Sequence, residues 1–306
     1  MSPLAHQGPQ FARANGLDIC YEIFGESAAE PMLLIMGLGA QMVLWDDEFC
    51  ERLAARGFRV IRFDNRDIGK SSQLSGGKRL SPFELFKLRF LRVPVAAPYK
   101  LSDMAQDTVA LMDALSINSA HLVGASMGGM IAQEVTISYP QRVRSLTSIM
   151  STTSNPKVPG PTREAFAVLM APPPATRDEY IDRFAQTWKF LRVGSFPQDE
   201  ARDRPRAERC YERGLNPAGV GRQLRAIFAS GSRKERLRTV STPTLVIHGT
   251  VDPLVHPMGG MDTAASIPGA KLLMIESMGH ALPVELWPQI IEPIATHASG
   301  AAAKAA

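Results

Sequence analysis

The sequence predicts an α/β fold: a mostly parallel central sheet with helices on both faces and a helical cap inserted after the sixth strand. Three observations predict this class. Short apolar runs of strand length alternate with helical patterns, an Asn-Gly pair separates the first two apolar stretches, and 155–234 holds helical patterns without a convincing strand. The 306 residues are 45% hydrophobic and 21% charged, so the chain can bury a large core and disorder is excluded as its main state.

The strand predictions rest on short apolar runs. Asn15-Gly16 favours a tight turn, which makes 11–24 a β-hairpin. The run 32–36 is expected to be a buried strand that enters the glycine loop Gly37-Leu38-Gly39. Five further runs of strand length follow, at 58–63, 121–123, 146–150, 244–248 and 271–275. Because helical patterns separate these runs, we expect parallel strands with functional groups on the loops at their carboxyl ends.

The helix predictions rest on apolar residues at helical spacing. Helices are predicted over 46–56, 102–115, 127–139, 163–170, 178–191, 217–229, 258–266 and 284–297. Ser102 is the expected N-cap of the second. Pro288 and Pro293 are expected to kink or shorten the last, and the alanine-rich tail 298–306 is expected to fray.

Composition excludes several function classes. Lys and Arg number 34 and Asp and Glu 30, so the net charge of +4 is too thinly spread to indicate nucleic-acid binding. Cys20, Cys50 and Cys210 are too far apart for a disulfide framework or a metal-ligand cluster, and free thiols suit the cytoplasm. We expect neither a secretory signal in 1–15 nor stable membrane insertion, because no apolar run approaches the roughly 20 residues of a spanning helix.

The helical stretch 155–234 is predicted to be a cap (lid) domain, with 1–154 and 235–306 forming the core domain. It carries fifteen Lys or Arg and nine Asp or Glu, which modestly favours anionic or neutral substrates, although solvated arginines explain the excess equally well. The segment 76–98 mixes basic and apolar residues. It is interpreted either as a surface helix packed on the core or as a mobile apolar part of a site entrance.

The candidate nucleophile lies in Gly124-Ala125-Ser126-Met127-Gly128, a G-x-S-x-G pattern. A predicted strand precedes it and a predicted helix begins at Met127, which is the strand–turn–helix setting that this pattern requires. We expect Cβ atoms at positions 124 and 128 to clash in so sharp a turn. The alternative interpretation is a glycine-rich turn that happens to contain a serine.

A serine hydroxyl needs a general base, and the base needs an orienting carboxylate. Asp252 follows the predicted strand 244–248, and His280 follows 271–275, so the order Ser126, Asp252, His280 suits this type of sheet. His256 is a minor rival for the base. Glu276 and Asp262 are the alternative acids.

Acyl transfer also needs donors for the oxyanion. The Met127 N–H lies at a predicted helix N-terminus, where the helix dipole favours negative charge. The second donor is expected in the loop after 32–36, with the Leu38 N–H as the best candidate. The alternative is that Gly37 and Gly39 merely shape a turn.

Together these residues resemble a cap-bearing α/β-hydrolase over nearly the whole length. The resemblance rests on Leu34–Gly39, on Gly124–Gly129 and on the Asp252 and His280 loops. A further stretch, 63–71, resembles the D-x-R-G-x-G-x-S motif of the family, with Asp67-Ile68 in place of the usual single glycine.

This version, with Met36 in place of the common histidine before Gly37, is similar to the esterase branch that includes aclacinomycin methylesterases. The resemblance implies hydrolysis of carboxylic esters through an acyl-serine, a mechanism that needs no metal or cofactor. Because 155–234 and 76–98 are rich in Met, Phe and Leu, we expect a hydrophobic ester of small to medium size. Carbon–carbon bond hydrolases and perhydrolases use the same three residues and stay open, as does a non-catalytic small-molecule binding protein. A homo-oligomer is also left open.

Overall fold

The computed structural model describes residues 6–76, 84, 95–193, 196, 197 and 199–305. In these residues the chain builds an eight-stranded sheet with the strand order β1-β2-β4-β3-β5-β6-β7-β8. The strands are β1 (His6–Ala14), β2 (Leu17–Phe24), β3 (Glu30–Ile35), β4 (Phe58–Phe63), β5 (Ala120–Ala125), β6 (Val143–Ile149), β7 (Thr244–Gly249) and β8 (Lys271–Ile275).

The sheet is antiparallel at one edge and parallel elsewhere. β1 and β2 form the expected hairpin, whose turn residues Asn15 and Gly16 have φ of +48° and +76°. β2 pairs antiparallel with β4, and every pairing from β4 across to β8 is parallel. The carboxyl ends of β3 to β8 therefore meet at one edge of the sheet, where the predicted functional loops begin.

Helices cover both faces of the sheet. Those described are α1 (Asp47–Ala54), α2 (Leu101–Ala114), α3 (Met127–Ser138), α4 (Arg163–Met170), α5 (Arg177–Leu191), α6 (Glu200–Glu212), α7 (Pro217–Ser230), α8 (Lys234–Leu237), α9 (Met258–Ser266) and α10 (Trp287–Ala305). Alternation along β3 divides the core: Leu33 and Ile35 face the cluster under α2 and α3, whereas Met32 and Leu34 face the cluster under α1 and α10. The predicted fold class is confirmed.

Two helix predictions were wrong at their ends. α2 begins at Leu101, and its N-cap is Lys100 rather than Ser102, because the Asp103 carboxylate accepts the Lys100 N–H over 2.7 Å. α10 continues to Ala305 with Pro293 inside it. Its buried residues Ile290, Ile294 and Ala298 lie four apart, and their packing on the sheet explains why the helix does not stop at the proline.

Helix α6 was not identified in the sequence. Its residues are mostly charged and it contains Pro205, so it lacks an apolar stripe. Its arginines instead contact carboxylates next to or within α1: Arg209 with Asp47 at 2.9 Å and Arg202 with Glu48 at 2.7 Å. Ion pairs to the sheet domain therefore help to hold this helix, together with the burial of Ala207 and Cys210.

Two more arginines of the insertion also bind carboxylates of the sheet domain. Arg213, at the end of α6, binds Asp64, and Arg222, within α7, binds both oxygens of Asp67; both carboxylates are buried in the loop after β4. These ion pairs account for part of the arginine excess of 155–234, and the expectation of an anionic or neutral substrate stays a prediction.

Most of the segment 76–98 lies outside the described residues, so neither interpretation of it is tested. Cys20, Cys50 and Cys210 are buried and unpaired. Within the described ranges, no helix combines the length and apolarity needed to cross a bilayer.

Candidate active site

Ser126 occupies a sharp turn between β5 and α3. Its φ is +56°, in the left-handed region, which costs a residue with a side chain roughly 1–3 kcal/mol. The turn depends on the two flanking glycines: a Cβ at Gly124 would overlap the Gly128 backbone, and one at Gly128 would overlap the Ile35 carbonyl oxygen. The Ser126 N–H donates to Ile149 O over 2.9 Å, which ties the turn to the end of β6.

The glycine loop after β3 lies directly against this serine. A Cβ placed on Gly37 would be 3.1 Å from Ser126 Cβ and 3.6 Å from Ser126 Oγ. Among the residues that the structure describes, neither the Leu38 N–H nor the Met127 N–H has a protein acceptor. Met127 is the first residue of α3, so its N–H also belongs to the positive end of that helix. Two donors without an acceptor in the described part of the chain thus lie in the segments next to Ser126.

His280 and Asp252 meet at the ends of β8 and β7. His280 Nδ1 lies 2.7 Å from Asp252 Oδ2, and both side chains are buried. The other carboxylate oxygen accepts the N–H groups of Leu254 and Val255 at 2.8 and 2.9 Å. Burial alone raises the pKa of the Asp252 carboxyl, but the charge of His280 and hydrogen bonds from His248 and His280 outweigh burial and hold it below its ordinary value. Asp252 is therefore an ionised, fixed acceptor.

A second histidine, His248, also contacts Asp252. Its Nε2 lies 3.5 Å from Asp252 Oδ2 and 2.8 Å from the Val255 carbonyl oxygen, and the ring is fully buried. His248 lies four residues before Asp252 in the sequence, but nothing in the sequence indicated that its ring contacts the Asp252 carboxylate.

The rival acids lie elsewhere. Asp262 binds Thr153, Asn155 and Lys234 at 2.5, 3.0 and 2.5 Å, so it joins α9 to the start of the insertion. Glu276 is exposed. The rival base His256 accepts the Met258 N–H over 3.2 Å. Of the acids considered, Asp252 is the one that the structure brings to His280.

The histidine loop is anchored on the insertion, which sequence reasoning missed. The His280 N–H donates over 2.8 Å to the carbonyl oxygen of Leu191, the last residue of α5. Gly279 makes this approach feasible, because a Cβ there would overlap the same oxygen. In the sequence, the one indication of this close contact is Gly279, the glycine directly before His280.

An apolar cavity adjoins these groups. Its free volume is about 50 Å³, and Ala125 and Ala281, the chain neighbours of Ser126 and His280, both line it. Its walls come from both the sheet domain and the insertion; four of the thirteen lining residues are aromatic, namely Trp45, Phe49, Trp188 and Trp287, and three are charged. Such a site can take up a hydrophobic group next to the serine.

The departure at Asp67 also has a structural role. Its φ is +72°, the conformation that a glycine would adopt readily, but its buried carboxylate binds Arg222 at 2.7 and 2.9 Å and the Tyr99 hydroxyl at 2.7 Å. The extra residue thus links the loop after β4 to α7.

Known proteins resemble this chain at both the sequence and the structural level. The family model described as the alpha/beta hydrolase fold matches residues 30–285. Rhodomycin D methylesterase DauP of Streptomyces sp. (strain C5) is 31% identical over 92% of this chain and 94% of its own length. Putative carbamate hydrolase RutD of Azorhizobium caulinodans is 26% identical over 89% of this chain and 91% of its own length.

Solved structures agree on the architecture. The 2-hydroxy-6-oxo-6-phenylhexa-2,4-dienoate hydrolase of Rhodococcus sp. strain RHA1 superposes with a TM-score of 0.75 at 17% identity, over 96% of this chain and 99% of that one. That likeness concerns the fold alone. With the family model matching more than four-fifths of its length, the chain belongs to the α/β-hydrolase fold family.

Proposed function

We propose that this protein hydrolyses carboxylic esters through an acyl-serine intermediate, with Ser126 as nucleophile, His280 as base and Asp252 as the carboxylate that orients the base. The observation that carries the proposal is the Ser126 turn: its positive φ, the adjoining Gly37, and two N–H groups that have no acceptor among the described residues. The 2.7 Å contact of His280 with Asp252 supports it, as does the similarity to a methylesterase over nearly the whole chain.

Each step of this mechanism is coupled to one proton transfer through His280. Ser126 Oγ bonds to the carbonyl carbon while His280 takes the hydroxyl proton, and the carbonyl π pair moves onto the oxygen held by the Leu38 and Met127 N–H groups. Collapse re-forms the C=O bond and breaks the bond to the alcohol, which leaves with the proton from His280. Water then adds to the acyl-serine by the same route, releasing the carboxylic acid and restoring the Ser126 hydroxyl.

The insertion is the cap domain of this enzyme in our proposal, with boundaries at 155 and 234. It supplies Trp188 to one wall of the cavity and Leu191 to the histidine loop. The aromatic residues of the cavity wall favour esters with a hydrophobic group of small to medium size. The three buried, unpaired cysteines fit a cytoplasmic enzyme.

The decisive experiment compares wild-type protein with Ser126→Ala on p-nitrophenyl butyrate. The wild type is expected to release nitrophenol and to be labelled once by a fluorophosphonate. Ser126→Ala should lose both, with its circular dichroism and melting temperature retained, because only Oγ is removed. Full activity in Ser126→Ala would disprove the nucleophile assignment.

A substrate panel then separates reaction types. Methyl, ethyl and butyl esters of one hydrophobic acid, an alkyl carbamate and a vinylogous 1,5-diketone cover ester, carbamate and carbon–carbon bond cleavage. Preferential turnover of the esters is expected. Faster cleavage of the diketone would replace the ester assignment.

A further inference from the structure

The loop that carries the Leu38 N–H is held at both ends by amide side chains from outside it. At its start, Asn65 Nδ2 donates to the Met36 carbonyl oxygen over 2.9 Å. At its end, the Gly39 N–H donates to Gln223 Oε1 over 2.9 Å. Asn65 lies in the loop after β4, whereas Gln223 lies on α7 of the insertion. Two separate parts of the fold therefore determine the conformation of one short loop.

These contacts fix the peptide planes on either side of the proposed oxyanion donor. The plane between Met36 and Gly37 is held through its carbonyl by Asn65, and the plane between Leu38 and Gly39 through its N–H by Gln223. The plane between them contains the Leu38 N–H. Its own carbonyl, Gly37 O, accepts the Ala40 N–H over 3.3 Å. With these contacts made, the Leu38 N–H has little freedom to rotate.

Gln223 is itself held rigidly. Its side chain is fully buried, and its Nε2 donates to the Arg66 carbonyl oxygen over 2.9 Å, so both ends of the amide are used. The preceding residue, Arg222, forms the two-pronged ion pair with Asp67 that fixes α7 on the sheet domain. Val220, one turn earlier, packs on Gly39: a Cβ there would lie 3.1 Å from Val220 Cγ2. Helix α7 therefore packs directly against the glycine loop.

We propose that Gln223 is a positioning residue for the oxyanion donors, so that the insertion helix α7 sets the geometry of the catalytic loop. This inference rests on the ester hydrolysis proposed above. Gln223 touches no reacting atom; it acts through Gly39 on the direction of the Leu38 N–H. An oxyanion donor stabilises the transition state because it already points at the position where negative charge develops. Loss of the Gln223 contact should therefore reduce transition-state stabilisation more than it reduces substrate binding.

The test replaces Gln223 by methionine, which keeps the length of the side chain and removes both hydrogen bonds. The matched control is Gln133→Met. Gln133 is an equally buried glutamine on α3 whose amide binds Arg233 and Ser148 at 2.9 and 3.3 Å, away from the glycine loop. Both variants lose two buried hydrogen bonds, so their melting temperatures should fall by similar amounts.

Catalysis should separate the two variants. Gln223→Met is expected to lower kcat for p-nitrophenyl butyrate by roughly 10- to 100-fold with KM nearly unchanged, because the donor is misdirected rather than removed. Its affinity for an alkyl trifluoromethyl ketone, whose hydrate-like adduct with Ser126 carries an oxyanion, should fall by a similar factor. Gln133→Met should keep wild-type kcat and inhibitor affinity. Gln223→Glu, which retains the acceptor for the Gly39 N–H, should recover most of kcat.

Two results would overturn the inference. One is a Gln223→Met protein whose kcat and inhibitor affinity match those of Gln133→Met. The other is an equal loss of kcat in Gln223→Met and Gln223→Glu, since the acceptor would then be irrelevant. Failure of the proposed function is recognised separately, by wild-type protein that releases no nitrophenol or by Ser126→Ala protein that releases it normally. If Gln223→Met does not fold, Gln223→Leu, which also lacks an acceptor for the Gly39 N–H, takes its place in the comparison with Gln223→Glu.

Discussion

Single residues in this protein hold strained conformations where a tertiary contact stabilises them. Ser126 and Asp67 both have positive φ, at +56° and +72°. At Ser126 the turn is forced by the close packing of Gly124 and Gly128. At Asp67 the buried carboxylate offsets the strain by binding Arg222 and Tyr99. The contacts of the Asp67 side chain, and not the backbone preference, therefore explain why an aspartate occupies a position where the family motif has glycine.

This account predicts that Asp67→Gly destabilises the protein, although glycine suits the backbone better. Leaving Arg222 buried without its carboxylate should cost about 3–5 kcal/mol, and relief of the strain returns only about 1 kcal/mol. Thermal unfolding should show a melting temperature lower by roughly 3–6 °C.

The matched control is Ser116→Gly. Ser116 also has positive φ, at +56°, but it is exposed at the end of α2. Its replacement should be neutral or stabilising by up to about 1 kcal/mol. A stabilising effect of Asp67→Gly as well would show that the ion pair contributes little.

Elements of the insertion support loops of the sheet domain through backbone contacts. The end of α5 meets the histidine loop at Leu191, and α7 meets the glycine loop at Gly39. In both places a glycine permits the close approach: Gly279 under Leu191, and Gly39 under Val220. Helices of the proposed cap thus contact the loops that carry the proposed base and the proposed oxyanion donor.

Gly279→Ala is therefore expected to reduce activity more than stability. Its Cβ would overlap the Leu191 oxygen, so the loop must shift and His280 with it. A displacement near 1 Å at a catalytic group costs about 100-fold in rate. The measurement is kcat/KM for p-nitrophenyl butyrate, with the melting temperature recorded alongside.

Gly160→Ala serves as its control, because no atom lies within 4 Å of a Cβ at that position and its φ is ordinary. Normal kcat/KM in both variants would mean that the histidine loop tolerates the displacement. It would also show that the contact of α5 with the histidine loop is not needed to position His280.

At the scale of the whole molecule, arginine–carboxylate pairs attach the insertion to the sheet domain. Arg202, Arg206 and Arg209 of α6 face Glu48, Asp46 and Asp47. Burial raises the pKa of Asp47, but Arg62 and Arg209 outweigh it, so the net shift is downward. Hydrogen bonds from Arg202 and Arg52 lower the pKa of Glu48.

These shifts predict loss of stability in acid. A carboxyl with a lowered pKa binds fewer protons in the folded state than in the unfolded state, so its contribution is complete above about pH 5 and disappears as the pH falls through the folded pKa. Asp252 has the same sign. Asp64 opposes it, because burial raises its pKa. The free energy of unfolding in urea should therefore fall between pH 5 and pH 3.

The control is the double variant Asp47→Asn, Glu48→Gln. It should be less stable than wild type at pH 7 but should lose less stability on acidification, since two of the titrating groups are gone. Parallel acid profiles for the two proteins would show that these pairs do not drive the loss.

Local patterns in the sequence determined the order of the secondary-structure elements along the chain. They include the Asn15-Gly16 hairpin, the alternating strands and helices, and the turn around Ser126. These features depend on residues near in sequence, whose spacing and backbone preferences can be read directly. Helix α6 was not predicted from the sequence because ion pairs contribute to its stability. Helix α10 continues past Pro293 because its buried face packs on the sheet.

Only the tertiary structure decided which groups meet. The position after a strand favoured Asp252 over Asp262 and Glu276, but the contact of Asp252 with His280 depends on where the carboxyl ends of β7 and β8 point. Sequence spacing could not pair Gly39 with Gln223, 184 residues apart. Such contacts depend on how the insertion packs on the sheet, and that packing is the sum of many long-range contacts that no local pattern encodes.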